Sequence, residues 1–156
     1  MRRRPWPFLL PAVLCLAIAC TAGPRTPEEH ARALFEEYLE LEKDYDPAIF
    51  DLYADEGTIE KYIITRSGER MRLGSVSARE WKATMLPLLD GARERRARNR
   101  YAEVTYEPNG DFMWVRMKRF QEPPGVTLAQ EMLMGPDPSG RWFIWKEVAQ
   151  AHSTRY

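Results

Sequence analysis

The chain has 156 residues, 44% of them hydrophobic, and its 23 basic and 23 acidic side chains give a formal charge of zero. That length suits one ordinary domain with a real core. The charge balance excludes the strongly basic face of a nucleic-acid binder. Two cysteines, Cys15 and Cys20, and two histidines, His30 and His152, leave no spacing of the zinc-binding kind. Phosphate loops, dinucleotide fingerprints and nucleophile elbows are also missing, so neither a metal nor a cofactor is expected.

Arg2, Arg3 and Arg4 precede a short apolar run from Phe8 to Ala19. About 20 apolar residues are needed to cross a bilayer, so this order predicts a cleaved export signal over residues 1–19. The ending Ala17-Ile18-Ala19-Cys20 resembles the lipobox of bacterial lipoproteins, which implies cleavage before Cys20 and acylation of its thiol. Thr21 after the cysteine, rather than aspartate, points by the same resemblance to the outer membrane facing the periplasm. Residues 20–26 then form the acylated cysteine and a tether, and 27–156 the domain. Loss of the leader removes three arginines and no acids, leaving 20 bases against 23 acids, a net charge of −3. It also removes Cys15, so no internal disulfide can form.

The domain opens on a strong helix start, with Thr26 as cap, Pro27 in the first turn and Glu29 closing a capping box. Ala31, Leu34, Phe35, Tyr38, Leu41 and Tyr45 follow as one apolar stripe. Asp46-Pro47 starts a short second helix through Ile49, Phe50 and Tyr53, which Gly57 is expected to end. Thr58–Thr65 reads as a strand, joined by Ser67-Gly68 to a shorter one around Glu69–Leu73. Ser77 and Glu80 cap a third helix with Trp81, Met85, Leu88 and Leu89 on its buried face, interrupted at Pro87. Strands are predicted over Tyr101–Glu107, Phe112–Phe120, Val126–Met134 and Arg141–Ala151, the first two joined by the hairpin signal Asn109-Gly110. Charge is segregated along the chain. Residues 28–60 hold twelve acids against Arg32 and Lys43, and 65–100 hold ten bases against four acids, so the two stretches are expected to face each other.

This order of elements, ααββαββββ, is similar to that of the nuclear transport factor 2-like superfamily, which includes ketosteroid isomerases, polyketide cyclases and scytalone dehydratase. Phe50-Asp51-Leu52-Tyr53-Ala54-Asp55-Glu56-Gly57-Thr58-Ile59-Glu60 resembles its short second helix passing into the first strand. Gly140-Arg141-Trp142-Phe143-Ile144-Trp145-Lys146-Glu147-Val148 resembles its last strand. The resemblance implies an α+β, cone-shaped domain, in which a curved and mostly antiparallel sheet wraps three helices and the open end of the cone is the ligand pocket. It also implies pairing of two copies sheet to sheet.

Strand parity indicates which side chains line such a cone. Val126, Leu128, Met132 and Met134 share their face with Gln130, and Met113, Val115 and Met117 form the matching set on the preceding strand. Met113, Met117, Gln130 and Met132, with Tyr38 from the first helix, are therefore the candidate ligand-binding residues, for a small apolar molecule. The alternative is a filled core in which Gln130 is hydrogen-bonded internally. For catalysis, the resemblance to isomerases implies a helix-one tyrosine and a strand acid, here Tyr38 and Glu60. The sequence departs from that pattern, because no aspartate falls on the predicted strands. Glu131 and Glu147 have outward parity and are expected to be solvated. The run Arg93, Arg95, Arg96, Arg98 and Arg100 complements a helix C-terminus or, in a tethered protein, contacts anionic lipid phosphates. Trp142 and Trp145, three apart on one strand, are expected on opposite faces. The resulting expectation is a lipid-anchored envelope protein. Its domain would bind a small apolar ligand or an envelope partner without catalysis, with a membrane contact through the anchor and no nucleic-acid partner. An acid–base isomerase, dehydratase or cyclase and a purely structural accessory domain are the alternatives.

Overall fold

The computed structural model describes residues 25–122 and 125–152; the predicted leader and Cys20 lie outside them. Helix α1, Pro27–Asp44, starts as its sequence dictates. Thr26 Oγ1 accepts from the Glu29 amide at 3.2 Å, and Glu29 Oε2 accepts from the Thr26 amide at 2.7 Å. It ends at Tyr45, held in the left-handed region at φ 54°. A 3₁₀ helix, Pro47–Leu52, is capped by Asp46 Oδ1, which accepts from the Ala48 amide at 2.8 Å. Strands β1, Tyr53–Ile64, and β2, Arg70–Ser77, form a hairpin. Helix α2, Ala78–Met85, is capped by Ser77 and Glu80. Pro87 then converts the chain to a 3₁₀ turn before the short α3, Leu89–Glu94. Strands β3, Arg98–Asn109, β4, Phe112–Glu122, β5, Val126–Pro136, and β6, Trp142–His152, complete the domain as a meander.

All six strands belong to one open sheet in the order β2-β1-β6-β5-β4-β3. The β1–β6 pair is parallel and every other pair antiparallel. The helices pack on one face, and the architecture is the expected α+β arrangement. Its core joins Ala31, Leu34, Phe35 and Tyr38 of α1 and Ile49, Phe50 and Leu52 of the 3₁₀ helix to the inward strand residues Met113, Val115, Met117, Met132, Met134 and Ile144. Each such large side chain contributes about 1.5–3 kcal/mol on burial. Trp142 packs against this core, whereas Trp145 lies edge-on to Phe112 and donates from Nε1 to the Gly135 carbonyl at 3.0 Å.

Element boundaries differ from expectation in one informative place. Gly57 does not end the short helix, which stops at Leu52; β1 begins at Tyr53 and runs through Gly57. The register between β1 and β6 is irregular between Tyr53 and Thr58. A Cβ at Gly57 would sit 2.7 Å from the Trp145 carbonyl oxygen and 2.9 Å from that of Ala54. The glycine therefore marks a close backbone approach at a strand irregularity rather than a helix stop. The register of β6 against β5 also slips beside Trp145, since Leu133 faces Lys146 while Met134 faces Ile144. The strand after α3 likewise starts at Arg98, earlier than predicted, so part of the arginine run is strand.

Candidate functional site: a buried polar cluster on the concave face

Opposed residues on neighbouring strands share a face, so the register places the polar side chains of the interior. Arg119 of β4 lies opposite Leu128, Gln130 of β5 lies between Met117 and Ala149, and Glu147 of β6 lies opposite Met132. These three residues form a polar diagonal across three adjacent strands, in the same rows as the core methionines. Tyr38 and Glu42, four apart on one face of α1, approach it from above.

Two sets of hydrogen bonds flank the diagonal. On one side, the Glu42 carboxylate accepts from Asn99 Nδ2 at 2.7 Å, from the Tyr101 hydroxyl at 2.9 Å and from the Tyr38 hydroxyl at 3.1 Å. The two tyrosine oxygens are 3.3 Å apart. Burial raises the Glu42 pKa above the ordinary carboxylate value, and the three donors offset only part of that rise. Burial likewise raises Tyr38 and Tyr101, which stay neutral donors. On the other side, the Tyr53 hydroxyl donates to Glu147 Oε2 at 2.5 Å, and Glu147 Oε1 is 3.9 Å from Arg119 Nη1. Burial and the adjacent carboxylate push the Tyr53 pKa well up. Burial opposes the charge of Arg119, but the tyrosines and carboxylates around it outweigh that effect and keep it a cation.

Gln130 and the Arg119 Nε are the exceptions in this otherwise paired interior. Gln130 is 0% exposed, and neither Nε2 nor Oε1 has a hydrogen-bond partner among the described residues. The Arg119 Nε is buried and unpartnered in the same way. The internal hydrogen bond expected for a core glutamine is thus not made. Leaving buried polar atoms unanswered costs about 1–3 kcal/mol each. Along the strands, exposure rises away from the α1 N-terminus. Met113, Met134 and Ile144 are buried, whereas Ile63, Leu128, Ala149 and Ala151 are half-buried. The inward face is therefore least covered toward Leu128 and Ala151, past the fully buried Gln130, and Val126, expected inward, is exposed.

Tyr38, Met113, Met117, Gln130 and Met132 all reach the interior as expected, with Met113 toward its closed end. Glu60 does not join them. Its neighbour Ile59 points inward opposite Glu147, so Glu60 turns to the outer face, where it pairs with Lys146 at 3.1 Å and accepts from Tyr62 at 3.0 Å. Tyr38 and Glu60 thus form no acid–base pair. Glu147 is a correction in the opposite sense. Expected outside, it is buried, because the slip beside Trp145 reverses the alternation of β6. Glu131 does face outward, 3.3 Å from Arg116 Nε.

The arginine run is distributed over three elements. Arg93 closes α3, Arg95 caps it, Arg96 takes φ 51°, and Arg98 and Arg100 begin β3. Arg93 donates to the Tyr45 carbonyl and Arg98 to the Lys43 carbonyl, each at 3.2 Å, so both complement the C-terminus of α1. Arg100 pairs with Glu122. The segregated charges meet in part, with Lys82 2.7 Å and Arg79 3.5 Å from Asp55.

Parity reasoning missed Glu42, Asn99, Tyr53, Tyr101 and Arg119. Two of these had a legible signal. Arg119 continues the inward phase of Met113, Val115 and Met117, and Glu42 stands one helical turn from Tyr38. A concavity of about 460 Å³ lies away from this cluster, beside Asp51, Tyr53, Lys82, Asp137 and Trp145. Two of its acids are engaged by their own surroundings, since Asp137 Oδ1 accepts from Ser139 and Arg141 and Asp55 from Lys82. Among the described residues no group of three or more His, Cys, Asp or Glu is placed to hold a metal ion, and no helix is long and apolar enough to cross a membrane.

No protein-family model matches the sequence, and no curated protein matches it either. Solved structures do match. A nuclear transport factor 2-like protein of unknown function from Pseudomonas putida KT2440 aligns with a TM-score of 0.59 at 15% identity, over 81% of this chain and 89% of that one. A candidate dehydratase of the same family from Streptomyces avermitilis gives 0.57 at 14% identity, over 81% and 98%. A candidate ketosteroid isomerase from Parabacteroides distasonis gives 0.53 at 11% identity, over 85% and 92%. The fold is that of the nuclear transport factor 2-like proteins. Among the described residues, the interior of this fold places the cation Arg119 between the carboxylates Glu147 and Glu42. Beside it lies an amide with both donor and acceptor free of protein partners. Such a site can orient a small molecule by hydrogen bonds while methionines cover its apolar part.

Proposed function

We propose that this protein is held at the cell envelope by an acylated Cys20, on the periplasmic side of the outer membrane, and that its domain binds a small, mainly apolar molecule in the concave face. The single observation that carries the binding reading is the unpaired, fully buried Gln130 amide between Met117 and Met132. A purely structural interior has no use for such a group and is penalised by it. The anchor reading rests on the leader and on Cys20.

The geometry makes the two readings compatible. Residues 21–26 can reach at most about 20 Å when extended. They join the N-terminal end of α1, where His30 stacks on Trp142 at 5.1 Å. The 18 residues of α1 extend about 27 Å to the end where Glu42 meets Tyr101. A tether at that end leaves the opposite end of the domain free of the anchor. The exposed Met71, Leu73, Val76, Leu86 and Leu88 are consistent with an envelope partner as well.

A second reading, acid–base catalysis, is favoured by one observation. Glu42 is a half-buried carboxyl with a raised pKa beside two neutral tyrosines, as a proton-transferring group requires. It takes the place in that reading that the sequence assigned to Glu60. Methionine-methyl NMR of the purified protein, titrated with 1-naphthol, tests the binding reading. Shifts of Met117 and Met132, with exposed Met71 unmoved, support it; shifts confined to Met71, or none, count against it.

A further inference from the structure

We infer that the ligand of the concave face carries an uncharged head group that both donates and accepts hydrogen bonds along one edge, as a carboxamide or cyclic imide does. This rests on the binding reading above and names the chemical class of its ligand. Gln130 Nε2 and Arg119 Nε are donors, and Gln130 Oε1 is an acceptor; none has a partner among the described residues. Gln130 is 0% exposed, so solvent at the surface does not answer it. An amide edge needs both functions opposite it, and a carboxamide supplies a carbonyl for the donors and an N–H for Oε1.

Charge excludes the simpler partners. A bare anion would satisfy Arg119 Nε and Gln130 Nε2 but leave Oε1 facing a second acceptor. It would also enter a cluster whose guanidinium already has Glu147 3.9 Å away and the half-buried Glu42 near it. A cation would satisfy Oε1 alone and meet the positive charge of Arg119. Burying a charge without its own counter-charge is heavily penalised, whereas a neutral group with its hydrogen bonds made is not. The flanking Met117 and Met132 are buried and apolar, so the rest of the ligand is apolar too.

Three probes with one apolar body and different heads separate the possibilities: 4-phenylbutanamide, 4-phenylbutanoate and 4-phenylbutylamine. Titration calorimetry of the purified full protein at pH 7 is expected to show the amide binding at least about tenfold more tightly than either charged probe. Gln130→Met should weaken the amide about tenfold and narrow its advantage, since one amide edge is worth roughly that factor. Cooperative urea unfolding checks that this variant folds. Gln130→Asn, which keeps the amide but withdraws it by one methylene, should fall between the two and gives the same information if Gln130→Met does not fold. Equal binding of all three probes, or tighter binding of the carboxylate, overturns the head-group inference and leaves the pocket standing. Binding of none of them overturns the pocket reading itself, with water alone left as the partner of Gln130.

Discussion

Gln130 and Glu42 are the two residues whose surroundings make the sharpest demands. If the Gln130 amide is unanswered in ligand-free protein, Gln130→Met should stabilise that protein by about 1–3 kcal/mol in urea unfolding, because a buried polar group is replaced by an apolar one of similar length. An unchanged midpoint would mean the amide is satisfied. For Glu42 the sign follows from the direction of its shift. Its folded-state pKa lies above the ordinary value of 4.5, so the folded protein holds this proton more tightly than the unfolded chain. Its contribution is therefore fully present at pH below 4.5 and is lost as pH rises from there through the folded-state pKa. Glu42→Gln removes that dependence. The stability of the natural protein relative to the variant should fall as pH rises across this window, and a parallel pair of curves would contradict the assignment. Residues of this kind were half legible. The inward phase of Gln130 could be counted along β5, but nothing in a linear pattern says that its partners are missing.

At the level of elements, capping chemistry made the helices readable. Thr26–Glu29 and Ser77–Glu80 are complete capping boxes in the folded chain. Thr26→Ala should cost about 1 kcal/mol, measurable by thermal unfolding of the whole domain. Strand parity was readable only where the ladder stays regular. On β4 and β5 the alternation holds, and Met113, Met117, Gln130 and Met132 fall inside as counted. On β6 the slip beside Trp145 reverses it, which is why Glu147 lies in the interior and not at the surface. Gly57 sits opposite the same irregularity, where the Trp145 carbonyl leaves no room for a Cβ. Gly57→Ala should therefore destabilise by about 1–3 kcal/mol through overpacking and displace the β1–β6 pairing. An unaffected melting temperature would show that the strands can separate freely there. A bulge depends on pairing between distant segments, so single-strand periodicity does not contain it.

For the whole molecule, the order of elements carried the fold, because three capped helices and six strands with clear turn signals leave few ways to bury every apolar face. The proposed anchor and the proposed interior site can be tested separately. Cys20→Ala should release the protein from membrane fractions and change its electrophoretic mobility; unchanged partition and mobility would remove the anchor. The interior site does not depend on that outcome. It depends on whether the concave face around Gln130 holds a molecule, and native mass spectrometry of the protein as isolated asks this directly. The account predicts a non-covalent adduct of small-molecule mass on the natural protein that is lost or strongly reduced in Gln130→Met. A spectrum showing only the processed polypeptide, or an adduct equally retained by Gln130→Met, would contradict it.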